Sequence, residues 1–247
     1  MTAKTVGIAM PESRKIGSNV VVARLAGSAL LLQFAVFLVA LIVLGSAINW
    51  PASLGEPAAV VLPLIAQQAG AVAAGYFSYF LSALLLVPIA LLVPTALAED
   101  TNPLLRASAF IGATAGVLKL FGIARWLVLM PSLSSAYIDP SASAATRDTA
   151  AMLYDAFNRY AGGIGENLGV MLFSGLWTIC VGAALLRSER LPRWLGWAGV
   201  AAGALLLVGL VELFGIDAGA LYLTGSGVVW QLWMIAFGVA LLRARAE

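Results

Sequence analysis

Lys119 and Arg125 stand in "GVLKLFGIARWLVLM", an otherwise apolar stretch from Gly116 to Met130. Cations in such company pair with a carboxylate, meet an anion, or reach water. Carboxylates in comparable surroundings are few: Glu166 and Glu212 each lie in an apolar run of their own. Tyr76, Tyr79, Asn167 and Gln231 add phenols and carboxamides to other such runs. Together these residue types allow three kinds of chemistry. They could neutralise one another, hold a small anionic or zwitterionic solute, or do acid–base work through carboxylates and phenols.

Other chemistries lack their residues. Histidine is absent and Cys180 is the single cysteine, so no disulfide forms within the chain. Zinc sites of the usual Cys/His kind, His-ligated haem and Ser-His-Asp catalysis are excluded with them. No phosphate loop, HExxH, CxxC or GxSxG occurs. No basic run with interleaved aromatics points to nucleic acid. No metal and no cofactor is expected.

The elements that must position the polar residues follow from composition. Hydrophobic residues make up 62% of the 247 and charged residues 11%, against roughly 45–50% and about 25% in soluble domains. That much apolar surface has no soluble core to hide in, so the lipid bilayer is the expected partner. A crossing takes about 20 apolar residues. Six runs qualify: Val21 to Ile48, Val72 to Leu97, Ala107 to Met130, Gly162 to Leu186, Trp194 to Phe214, and Gly227 to Leu242. Only a helix satisfies its own amides in lipid. The expected fold class is all-α, a polytopic membrane bundle of six transmembrane helices. Residues 1–17 are polar and read as a disordered cytoplasmic tail, with 18–247 as a single transmembrane domain. The first run is too long for a signal-peptide core.

Basic residues set the orientation. Lys4, Arg14, Lys15, Arg24, Arg106, Arg187, Arg190, Arg193, Arg243 and Arg245 fall on one side of a six-span layout, and Arg147 and Arg159 on the other. Both termini are therefore expected in the cytoplasm, with the chain in the cell membrane. Outside, Asn49 to Gly70 reads as a loop with a short interfacial helix. Pro131 to Gly163 starts turn-rich and becomes an amphipathic helix near 143–161. Its apolar stripe is Leu153, Phe157, Tyr160 and Ile164. Its polar stripe is Asp148, Asp155, Arg159 and Glu166, which runs into the fourth span if Gly162 and Gly163 allow.

Depth then sorts the candidates. Arg125, Glu166 and Glu212 come near the outer ends of three spans, level with Tyr76, Tyr79 and Gln231 and flanked by Asn167 and Trp126. Lys119 lies about 9 Å deeper than Arg125 and about 120° around the helix, so the two need not share a partner. A lone cation at a helix centre costs about 2.5–3.5 kcal/mol; Arg125 can snorkel outward and Lys119 cannot. Glu166 is the preferred partner of Arg125, through a charge-assisted hydrogen bond. Trp50, Trp126, Trp194, Trp197 and Trp230 fit an aromatic belt at the span ends. Gly112 to Gly116 and Gly199 to Gly203 match the small-xxx-small pattern of close helix contacts.

"GAALLRSERLPRWLGWAGVAAG" (Gly182 to Gly203) resembles the signature of a bacterial multi-pass family, domain of unknown function 4386. "VARLAGSALL" (Val22 to Leu31) resembles that family's first span, and the arginine of "GIARWLVL" one in its third. The resemblance implies an integral membrane protein and brings no catalytic residues. Two function classes stay open. One is a protein that binds or conducts a small anionic or zwitterionic solute through the polar cluster. The other is a structural or regulatory membrane subunit whose buried charges fix helix packing. A membrane-embedded enzyme ranks third.

Overall fold

A computed structural model describes the backbone of residues 12–99 and 101–244, with side chains from 19 onward. Among the described residues every regular element is helical. α1 runs Glu12–Ile48, followed by a 3-10 turn at Ala52–Gly55 and α2 at Ala58–Gln67. α3 is Ala69–Ala96, α4 Pro103–Val128 and α5 Met130–Ile138. α6, Ala144–Gly163, passes without a break into a π-helix at Ile164–Ser174 and then α7 at Gly175–Leu185. α8 is Arg193–Val208 with a 3-10 extension at Gly209–Phe214, and α9 is Ala220–Arg243. The tail expected over residues 1–17 lies outside the described residues up to 11; from Glu12 the backbone is helical.

Six helices are long and apolar enough to cross a membrane. Each packs on its neighbour in sequence, and α9 returns to α1, so the bundle closes into a ring. Two spans overshoot. The third is 36 residues with α5 included and the fourth is 42 with α6 included; the fourth would measure about 60 Å as an α-helix, twice the hydrocarbon thickness of about 30 Å. Their surplus forms a cap. There α2, α5 and α6 pack on one another, and Ser134 Oγ donates to the Leu62 carbonyl at 2.6 Å to join α5 to α2.

The cap departs from the sequence reading in two places. The stretch after Met130 is a helix where turns were expected. Pro131 occupies the first turn of α5, where its missing N–H costs nothing, and Ser135 Oγ donates back to the Pro131 carbonyl rather than opening a turn. The buried face of α6 is also different. Ala150, Tyr154 and Gly162 are its buried residues, while Phe157 and Tyr160 of the anticipated apolar stripe are exposed. Ala150 and Gly162 let α6 lie close on its neighbours, and Tyr154 is the large side chain that it buries, while Phe157 and Tyr160 turn outward.

N-terminal signals act as local chemistry dictates. Ser143 caps α6 by accepting from the Thr146 amide, and Asn102 caps α4 by accepting from the Leu104 amide at 3.0 Å. The glycine pairs do bring helices close: a Cβ on Gly112 would sit 2.5 Å from Trp177, and one on Gly203 would sit 2.5 Å from the Gly175 carbonyl.

Candidate functional site

Arg125 lies in the last turn of α4, where the helix dipole favours a cation. Its side chain is buried and folds back on its own helix, with Nη1 donating to the Gly122 carbonyl at 2.6 Å. Nη2 donates to Asn158 Oδ1 of α6 at 3.1 Å. Asn158 Nδ2 in turn donates to the Leu54 carbonyl at 2.9 Å. Arg125 thereby ties α4, through α6, to the 3-10 turn that follows α1.

Glu166 is near but is not the main acceptor. Its Oε1 lies 3.8 Å from Arg125 Nη2, an ion pair beyond hydrogen-bond reach. The reason is local. A Cβ on Gly162 would sit 3.1 Å from Nη2, so the guanidinium lies across Gly162. Asn158 is one turn before that glycine and Glu166 one turn after it, and Asn158 takes the bond. The Arg125 side chain is 6% exposed and that of Glu166 is 50% exposed. The carboxylate therefore sits at the rim, not in the core.

The phenols gather around the same arginine. Tyr76 stacks on Trp126 at 4.5 Å and 10°. Tyr76, Tyr79 and Tyr154 all lie within electrostatic range of Arg125. Neither the Tyr76 nor the Tyr154 hydroxyl has a hydrogen-bond partner among the described residues. Tyr79 instead packs edge-on against Trp50 at 5.5 Å and tilts toward Phe37 at 5.8 Å. Glu212, on the 3-10 extension of α8, is within electrostatic range of Glu166. Asn167 is half-buried in the π-helix, where a Cβ on Gly163 would stand 3.8 Å from its Nδ2.

Lys119 belongs to a separate, deeper group. It is buried, and its Nζ lies 4.9 Å from the centroid of the Trp230 ring, within cation–π distance. Among the described residues it has neither an ion pair nor a hydrogen bond. Trp230 is held in place by donating Nε1–H to Thr178 Oγ1 at 2.8 Å. Thr178 donates to the Ser174 carbonyl at 2.7 Å, and Ser174 to the Gly169 carbonyl at 2.8 Å. Gly169 closes the circuit: a Cβ there would meet Lys119 Cγ and its amide nitrogen, each at 2.9 Å.

The π-helix frames both groups. An 11-residue run of this winding is long for an element that usually occurs as a single turn, frequently at functional sites. Gly165 in its first turn faces Gly122 of α4; a Cβ on Gly122 would stand 2.7 Å from the Gly165 Cα. Gly162, Gly165 and Gly169 thus leave room in turn for the guanidinium, the α4 backbone and the lysine stem.

Two placements correct the sequence reading. Trp126 and Trp230 are fully enclosed within the bundle, while Trp194 and Trp197 are exposed as a belt requires. Trp230 is internal because α9 begins at Ala220, seven residues before the expected start. The same shift sends Gln231 below the Arg125 level, to the turn beside Lys119. Its Oε1 is buried without a partner among the described residues.

Gln33 and Asn158 were not anticipated. Gln33 is buried in α1, and its Oε1 also lacks a partner among the described residues. Gly27 of α1 touches Gly238 and Leu242 of α9, and Leu30 touches Gly238. This antiparallel register sets Gln33, one turn on, level with the α9 turn that follows Gln231. A lone carboxamide in the middle of an apolar span was the available signal. For Asn158 the signal was its spacing of four from Gly162, and Gly162's of four from Glu166.

A family model described as domain of unknown function (DUF4386) matches residues 25–242. The chain belongs to that family. The DUF4386 match extends the likeness seen in the Gly182–Gly203 hairpin to nearly the whole bundle. No curated protein and no solved structure matches the chain. Family and fold together make this DUF4386 chain a multi-pass membrane protein in contact with the lipid bilayer.

Proposed function

We propose that this protein binds a small anionic or zwitterionic solute inside the bundle, with Lys119 as its cationic contact and Gln231 beside it. The supporting observation is Lys119 itself: a buried ammonium that meets an indole face and no carboxylate among the described residues. A desolvated cation–π contact contributes about 2 kcal/mol, less than the cost of a central cation in lipid. An anion or water arriving at Nζ supplies the rest. The cell membrane is the proposed location, with both termini cytoplasmic.

A second reading, that the buried charges fix helix packing, has its support at Arg125. The guanidinium spends its hydrogen bonds on the Gly122 carbonyl and Asn158, as a strut between helices would. The two readings divide by residue: Arg125 braces the bundle and Lys119 meets the solute. Acid–base catalysis has less behind it, because Arg125 stands beside the carboxylate of Glu166.

A thermal-shift panel of organic anions and zwitterions on the purified chain tests the proposal. A ligand present at 100 times its Kd stabilises by about 2.7 kcal/mol. At least one compound should raise the melting temperature of the wild type and leave that of Lys119→Met unmoved. No shift across the panel, or equal shifts in both proteins, would discard the reading.

A further inference from the structure

At the end of the bundle that carries the α7–α8 turn, four elements leave a crevice of about 40 Å³. Val20 and Ala23 of α1, Leu97 after α3, Leu241 of α9, and Leu191 and Arg190 of the turn are among its lining residues. A bound water needs about 10–15 Å³ measured this way, so the space accepts a group the size of a few waters. Arg190 also borders an open recess formed by residues 186–193, which includes Arg187 and Arg193. The turn sets these three arginines against one carboxylate, Glu189. Among the described residues none of the three forms an ion pair.

We propose that this crevice holds the phosphate headgroup of an anionic phospholipid, with Arg190 as its principal contact and Arg187 and Arg193 as supporting charges. Charge complementarity selects a phosphate. The surroundings select a lipid. Trp194 and Trp197 project from the first turns of α8, in the position that indoles take at headgroup depth. Val21 and Leu25, the exposed neighbours of the crevice residues on α1, offer acyl chains an aliphatic surface below the phosphate. Basic pockets between transmembrane helices recognise anionic headgroups by this combination. The site is remote from Lys119, so it stands or falls independently of the solute proposal.

Native mass spectrometry of the full chain tests the assignment, with phosphatidylglycerol and phosphatidylcholine supplied in equal amounts. Phosphatidylglycerol adducts should dominate. Arg190→Gln should reduce them about fivefold, the worth of one arginine at an anionic surface. Arg190→Lys should retain most of them. Arg106→Gln is the control: Arg106 is exposed at the same end, in the first turn of α4, and is not among the crevice residues. It should leave the adducts unchanged. Millimolar inorganic phosphate should not displace the lipid. Equal losses from Arg190→Gln and Arg106→Gln would mean a diffuse charge effect and no site. Equal binding of the two lipids, or displacement by inorganic phosphate, would also overturn the proposal.

Discussion

At the scale of single residues, Arg125 shows how a buried cation is held without a buried carboxylate, although its Nε has no hydrogen-bond partner among the described residues. Two neutral oxygens take its hydrogen bonds, the Gly122 carbonyl and Asn158 Oδ1. The charge of Glu166 is held 3.8 Å away at a half-exposed rim. Hydrogen bonds to a charged donor contribute about 1.5–3 kcal/mol, and an exposed ion pair about 0–1 kcal/mol. Arg125→Leu should therefore destabilise by about 2–3 kcal/mol, chiefly through Asn158. Two double-mutant cycles, read by denaturant unfolding in detergent, separate the partners. The coupling of Arg125 to Asn158 (with Asn158→Ala) should exceed about 1 kcal/mol, and its coupling to Glu166 (with Glu166→Gln) should fall below that. The reverse order would restore Glu166 as the main partner.

At the scale of elements, the contact of α4 with the π-helix depends on glycine at chosen positions only. The Gly122 and Gly165 backbones meet directly, so a Cβ on Gly165 would stand 2.9 Å from the Gly122 Cα. Gly165→Ala must push the helices apart, at a cost of about 1–3 kcal/mol. Gly163 is also helical, yet a Cβ there would meet only Asn167 Nδ2, at 3.8 Å. Gly163→Ala should instead stabilise by up to about 1 kcal/mol, the ordinary helix preference for alanine. Thermal unfolding of the two single mutants should give shifts of opposite sign; shifts of the same sign would show that the close approach is not maintained in the bilayer.

At the scale of the whole molecule, the charge asymmetry predicts the orientation. The six-span layout of the sequence assigns ten of the fourteen basic residues to one side and two to the other, leaving Lys119 and Arg125 inside. Reporter fusions after Glu247 and between Ser141 and Ala145 should show the first inside and the second outside. An external C-terminus would invert the bundle and move the cap of α2, α5 and α6 into the cytoplasm. The surplus length of the third and fourth spans fits a cap on the less basic side, because Arg147 and Arg159 are the only basic residues that α6 carries.

The number of spans, their helical nature and the family likeness were legible in the chain itself. Hydropathy and backbone satisfaction are local requirements, and lipid imposes them on each segment independently of its neighbours. The glycine pairs were legible for the same reason: a missing side chain permits close approach whatever the partner. The pairing of spans three and four also followed, since consecutive helices usually pack on each other. What the tertiary structure decided is which face of each helix turns inward. Trp230 came to lie beside Lys119 because α9 starts earlier than its hydropathy suggests. Asn158 took the hydrogen bond of Arg125 because Gly162 lets the guanidinium lie across the helix between it and Glu166. The run from Ile164 to Ser174 adopted π winding, which alters the angle between successive residues and so rewrites the faces that a 3.6-residue period assigns. Periodicity reads one helix at a time; the rotation of a helix against its neighbours is set by contacts that exist only once the bundle has formed.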